Sequence, residues 1–296
     1  MLSSSLFSEF KQSLKNTAAE EGLDLVFFRP MAFLLVKAFG WLPVTPNQIS
    51  CCSMVAGIGA AVSFSNGNRQ GFLMGALLYT LANILDCCDG MVARLKKNGT
   101  LTGRIVDGVV DYVNGVAVYM GFGIGLAKAV HAGELLLPCN SWLLIIAAAA
   151  SFGVHAMLSD KYRNAYLEQA RQGGGDGVAD EMGKFSAELA RLKGCKGRYG
   201  DKILIAVYLK YLAMQQATAA QAPRRPAQVK RIPASTVVLW NCIGPSTHIS
   251  FLVVPAIIFQ PAIFFLYVIG AANVWMLLLL VLQPGLTHGV DNSGEQ

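Results

Sequence analysis

Six apolar stretches, near residues 47–65, 70–88, 103–128, 140–159, 235–258 and 262–283, constrain this 296-residue chain more than anything else in it. A helix needs about 20 mostly apolar residues to cross roughly 30 Å of hydrocarbon. Within lipid, only a helix or a closed barrel satisfies its own backbone polar groups. The first two stretches are short for that thickness, so their polar ends are expected to extend into the interface. Composition agrees, with 54% apolar and 14% charged residues, against about 45–50% and 25% in soluble domains. The expected fold class is therefore all-α: a polytopic membrane protein of six transmembrane helices plus an N-terminal interfacial amphipathic helix.

The charges orient and divide the chain. Between helices, the loops 66–69, 129–139 and 259–261 hold only Arg69, whereas the opposite side carries Arg94, Lys96, Lys97 and Arg104, and the segment 161–231 holds fourteen of the 24 Lys and Arg. Positive loops stay in the cytoplasm, so both termini are expected there, and six spans return the chain to its starting side. The expected division is 1–44, an N-terminal interfacial region; 45–285, the membrane domain, with a cytoplasmic insert at 160–234; and 286–296, a polar tail. Leu25 to Phe39 is apolar but interrupted by Arg29, Pro30 and Lys37, which suits a surface helix better than a span. The first 21 residues, with Glu9, Lys11, Lys15, Glu20 and Glu21, lack the apolar core of a signal peptide. Thr45-Pro46-Asn47-Gln48 reads as a helix start, with Thr45 as N-cap. In the insert, 178–193 and 201–217 read as helical, and Pro223-Arg224-Arg225-Pro226 with Lys230-Arg231 reads as a clamp on anionic lipid headgroups or as part of a lid. Seven cysteines, four of them in the vicinal pairs Cys51-Cys52 and Cys87-Cys88, show no metal-binding spacing and read as free thiols. Gly121-x-Gly123-x-Gly125 lies inside a span with no preceding strand, so it reads as helix packing rather than nucleotide binding.

Against this apolar background stands Asp86-x-x-Asp89-Gly90-x-x-Ala93-Arg94, then, after eight residues, Gly103-x-x-x-Asp107-x-x-x-Asp111. Carboxylates beside lipid are costly unless paired, hydrated or bound to a cation. Asp86 and Asp89 share one helix face, as do Asp107 and Asp111. Neighbouring helices would bring all four to one point, an oxygen-only donor set that suits Mg²⁺ or Mn²⁺ rather than zinc.

This pattern resembles the signature of the CDP-alcohol phosphotransferases, integral membrane enzymes that make phospholipids and related phosphodiesters. All eight fixed positions and their spacings match. The resemblance implies that Asp86, Asp89 and Asp107 ligate two divalent ions, Mg²⁺ or Mn²⁺, with Asp111 contributing or close by, and that Asp111 is the general base. Spacing alone does not divide ligand and base roles between Asp107 and Asp111. The resemblance also implies nucleotide contacts for Asn47, Gly90, Ala93, Arg94 and Gly103, with Arg94 suited to pair phosphate oxygens. Lys161, Arg163 and His248 are candidates for the acceptor pocket, His155 being the other intramembrane histidine. Gly108, in Asp107-Gly108-x-x-Asp111-Tyr112, departs from the proline that members making phosphatidylglycerol phosphate or phosphatidylinositol phosphate often carry. It departs too from the Asp-His-Gly pattern of the eukaryotic choline and ethanolamine enzymes, so the acceptor alcohol stays open.

The expected reaction is transfer of a phosphatidyl group from CDP-diacylglycerol to a polar alcohol with release of CMP. The alternative is transfer from a soluble CDP-alcohol to a lipid or polyol hydroxyl. A cation transporter is a distant third, disfavoured because the cluster lies at the membrane edge and no internal repeat is visible. The resemblance implies a homodimer, and the loop charges place the site on the cytoplasmic side of what is expected to be a bacterial-type inner membrane. Nucleic acid is not an expected partner, since no stacking aromatics accompany the basic residues.

Overall fold

The structure, a computed structural model, describes residues 2–14, 20–40, 43–170, 177–194, 197–221, 230–286 and 288–289. It is all-α. Two surface helices come first: α1 (Leu2–Ser13), then α2 (Arg29–Phe39), entered through a π-helical turn at Asp24–Phe28. The membrane helices α3 (Pro46–Phe64), α4 (Arg69–Leu95), α5 (Leu101–His131) and α6 (Ser141–Ala170) follow. A hairpin of α7 (Gly177–Lys193) and α8 (Tyr199–Gln221) precedes α9 (Ala234–Asn241), α10 (Pro245–Ile257), α11 (Ala262–Phe265) and α12 (Ala272–Leu286). The only strands among the described residues are β1 (Lys230–Arg231) and β2 (His288–Gly289), an antiparallel pair two residues long. The expected basic segment 223–226 and the tail beyond 289 lie outside the described residues.

Six helical segments are long and apolar enough to cross a membrane: α3, α4, α5, α6, the pair α9–α10, and the run from α11 into α12. This is an integral membrane protein. Local chemistry explains where the helices begin. Thr45 and Gln48 form a reciprocal capping box before α3. Asn68 Oδ1 accepts from Gly71 N at 2.7 Å before α4, and Thr100 Oγ1 accepts from Gly103 N at 2.9 Å before α5.

Three expectations are corrected. The second span continues to Leu95 and the fourth to Ala170, well past 88 and 159. Their last turns are polar because they rise out of the apolar layer. The fifth span is not one helix but two, broken at 242–244. Pro245 has no N–H for the turn before it, and Gly244 is extended there (ψ 171°), so a new helix starts. The sixth span carries a π-helical stretch at Leu266–Ala271.

An aromatic core holds the bundle. Phe64, Phe72, Phe122 and Phe264, all fully buried, meet edge to face with centroids 5.2–5.9 Å apart. Below it α3 and α5 approach backbone to backbone: a Cβ on Gly121 would stand 2.1 Å from the Ala61 carbonyl oxygen. The glycine run thus serves packing, as small residues do between membrane helices. Hydrogen bonds join α3 to both neighbours, from Ser53 Oγ to the Ala82 carbonyl of α4 (2.9 Å) and from Asn114 Nδ2 of α5 to Ser53 Oγ (3.3 Å). Since α4 runs into α5 through a five-residue turn, the end of α4, the start of α5 and the start of α3 share one face of the bundle.

Candidate active site

At that shared face Asp86 and Asp89, near the end of α4, meet Asp107 on the second turn of α5. Their ligand oxygens lie within 4.8 Å of one another. Asp89 is buried and accepts a hydrogen bond from Ser50 Oγ on α3. Asp86 Oδ1 is buried with no hydrogen-bond partner among the described residues, and the carboxylates of Asp111, Asp107 and Asp89 lie near that side chain. A buried carboxylate oxygen among like charges is costly unless a cation compensates it. The donor set, all oxygen, fits Mg²⁺ or Mn²⁺.

Residues 43–187 match the CDP-alcohol phosphatidyltransferase family model. The chain carries a CDP-alcohol phosphatidyltransferase domain. A curated relative, the phosphatidylinositol phosphate synthase of Corynebacterium glutamicum, is 28% identical over 127 residues, or 43% of this chain and 55% of the relative. The chain thus spans about half the length of that relative.

In this CDP-alcohol phosphatidyltransferase domain the nucleotide candidates lie on the first turns of α3 and α5 and the last turns of α4. Asn47, on the first turn of α3, lies against Gly103 of α5, where a Cβ would stand 2.7 Å from Asn47 Oδ1. Ala93 lies beside Gly99, at whose position a Cβ would be 3.4 Å from the Ala93 methyl. Arg94 lies back over Gly90, donates from Nε to the Ser13 carbonyl, and leaves its buried Nη2 without a partner among the described residues.

Asp86 and Asp111 also line a cavity of about 620 Å³ that runs away from the cluster between α4, α5, α6 and α10. Tyr79, Asn83, Tyr119 and Phe152 line it as well. Of the acceptor candidates, Arg163 and His248 line it, whereas Lys161 does not, its ammonium sitting over the Tyr162 ring.

The far wall comes from the N-terminal segment, expected only to be an interfacial region. Glu21 Oε2 accepts from the Ser246 amide at 2.9 Å, and Ser246 Oγ donates to Asp24 Oδ1 at 2.7 Å. Arg163 pairs with Asp160 and approaches Glu21 at 3.8 Å, and Arg29 pairs with Glu20 at 3.0 Å. Burial, reinforced by the charge of Asp24, pushes the Glu21 carboxyl up to about 7, against the pull of Arg163 and the Ser246 and Thr247 amides. Burial raises Asp24 as well. Glu21 thereby occupies the N-terminus that the break at Gly244 creates, where an acceptor of amide hydrogens is favoured.

His248 is held by a buried polar chain. Its Nε2 lies 3.2 Å from His155 Nδ1, and His155 Nε2 lies 3.2 Å from Asn273 Oδ1. Asn273 Nδ2 donates to Ser151 Oγ and to the Ile269 carbonyl, inside the π-helical stretch. The two histidines thus pair with each other, as intramembrane polar groups generally do, while His248 Nδ1 has no partner among the described residues.

Proposed function

We propose that this protein transfers a phosphatidyl group from CDP-diacylglycerol to a polar alcohol and releases CMP, with Asp86, Asp89 and Asp107 holding divalent cations. The observation that carries the reading is the convergence of these three carboxylates at one end of a cavity that Asp111 also lines. The bound cations would neutralise diphosphate oxygens and the departing CMP. Asp111, one helical turn beyond Asp107, takes the proton of the acceptor hydroxyl while that oxygen bonds to phosphorus and the bond to CMP breaks. Asn47, Gly90, Ala93, Arg94 and Gly103 bind the nucleotide, the glycines and alanine by leaving room and Arg94 by pairing phosphate oxygens.

The acceptor occupies the cavity between Asp111 and the wall of Glu21, Arg163 and His248. The site faces the cytoplasm of a bacterial-type inner membrane, supported by Arg94, Lys96, Lys97 and Arg104 around its rim. The enzyme works as a homodimer.

The test is CMP release by detergent-purified protein with Mg²⁺ or Mn²⁺, offered CDP-diacylglycerol, CDP-choline or CDP-inositol and a panel of alcohols. Release from CDP-diacylglycerol with one acceptor, lost in Asp111→Asn, is the expected result. Release only from a soluble CDP-alcohol would reverse the donor. Metal binding without nucleotide binding would overturn the transferase reading and favour cation transport.

A further inference from the structure

The α7–α8 hairpin has two apolar sides, and among the described residues only one of them is covered. Its inner side packs Phe185 and Leu192 of α7 against Ile205 and Leu212 of α8 and against Ile105 of α5. Ile105 is four residues into a membrane span that begins at Leu101, and Arg104 pairs with Glu181 of α7 at 3.5 Å. The hairpin is therefore fixed at the level where α5 enters the apolar layer. On the opposite side of α8, Tyr199, Ile203, Val207 and Tyr211 follow one another every four residues, a single helix face. They are 72%, 64%, 63% and 52% exposed. Val62, Leu143 and Ile146 on the spans, at 62%, 63% and 64%, are exposed to the same degree because they face lipid. The cations near this face are Lys202, over the Tyr199 ring at 5.2 Å, and Lys210. The one acid from 199 to 214, Asp201, is tied to Arg198 at 2.6 Å.

We propose that α8 lies in the membrane interface, its Tyr199-Ile203-Val207-Tyr211 face among the lipid chains and its lysines at anionic headgroups. The chemistry is that of an interfacial helix: an apolar stripe with tyrosines, edged by cations. A second copy is the poorer occupant, because pairing two such faces brings the Lys210 side chains of both copies toward one another, and residues 199–214 hold no acid but Asp201. The fixed contact with Ile105 makes the face continuous with the lipid-facing surface of the bundle.

The experiment is photocross-linking of the full chain in vesicles of mixed phosphatidylcholine and phosphatidylglycerol. Val207→p-benzoylphenylalanine and, as control, Lys184→p-benzoylphenylalanine on the water side of α7 are irradiated, and adducts are read by mass. Both positions are exposed, so neither substitution enters the core, and an unchanged elution volume in detergent verifies it. The expected result is a one-lipid adduct at 207, several-fold above that at 184, enriched in phosphatidylglycerol and less so when Lys210→Gln is added. A chain-to-chain adduct at 207 would identify a second copy instead. Equal lipid adducts at both positions, or none at 207, would equally overturn the assignment.

Discussion

At the scale of single residues, Ser50 has the clearest testable role. Its hydroxyl is the neutral donor to Asp89, the most buried member of the cluster, and partners behind a metal ligand typically set affinity by 10–100-fold. Ser50→Ala should therefore weaken Mn²⁺ binding by roughly tenfold, measured by titration of the purified protein, with little loss of fold. Unchanged affinity would mean the hydroxyl serves helix packing alone. Glu21 makes a second case. A carboxyl raised by the fold favours its protonated form, so its contribution to stability is complete below about 4.5 and is lost as pH rises through about 7. The midpoint of thermal unfolding in detergent should fall over that window. Glu21→Gln, neutral throughout, should flatten the fall, which is worth on the order of 3 kcal/mol. The carboxylate cluster was legible because each pair is local, three or four residues apart on one helix. Glu21 and Asp24 were not, since their partner Ser246 stands more than 220 residues away and no local spacing announces it.

Among the elements, the contact between α3 and α5 is the least adjustable, having no side chain between Gly121 and the Ala61 carbonyl. Gly121→Val should cost about 1–3 kcal/mol by overpacking. It should lower the unfolding midpoint and reduce CMP release together, which a fluorescence melt and the CMP assay on one preparation would show. Retained midpoint and activity would mean the helices part freely. The six spans were readable from hydropathy, and Thr45 from its capping chemistry. The break of the fifth span was written in Gly244-Pro245 but masked by the apolar residues on both sides, which make one continuous stretch of hydropathy. The π-helical stretch at Leu266–Ala271 has no sequence mark; Asn273, bonding back to the Val268 and Ile269 carbonyls, accompanies it.

For the whole molecule, the loop charges set an orientation that one cysteine can report. Cys139 is exposed in the connection between α5 and α6, at the end of the bundle opposite the carboxylates. In intact cells a membrane-impermeant maleimide should label it once per chain, and Cys139→Ser should abolish that label. Labelling that requires permeabilised cells would invert the topology and put the Asp cluster outside. Orientation is legible in sequence because it depends on summed charge. The shape of the cavity is not, since it arises where the N-terminal segment, α6 and α10 meet.

The Gly121–Ala61 contact also has a mechanical meaning. It lies fourteen positions from Asp107 along α5, about 21 Å of helix. A fulcrum that far from the load gives leverage: a tilt of only about 3° would carry Asp107 roughly 1 Å from Asp86 and Asp89 over that helical length. Oxygen donors tolerate little such drift around a small hard cation. The spacing of the carboxylates is thus held, at a distance, by the absence of one methyl group near the opposite end of α3.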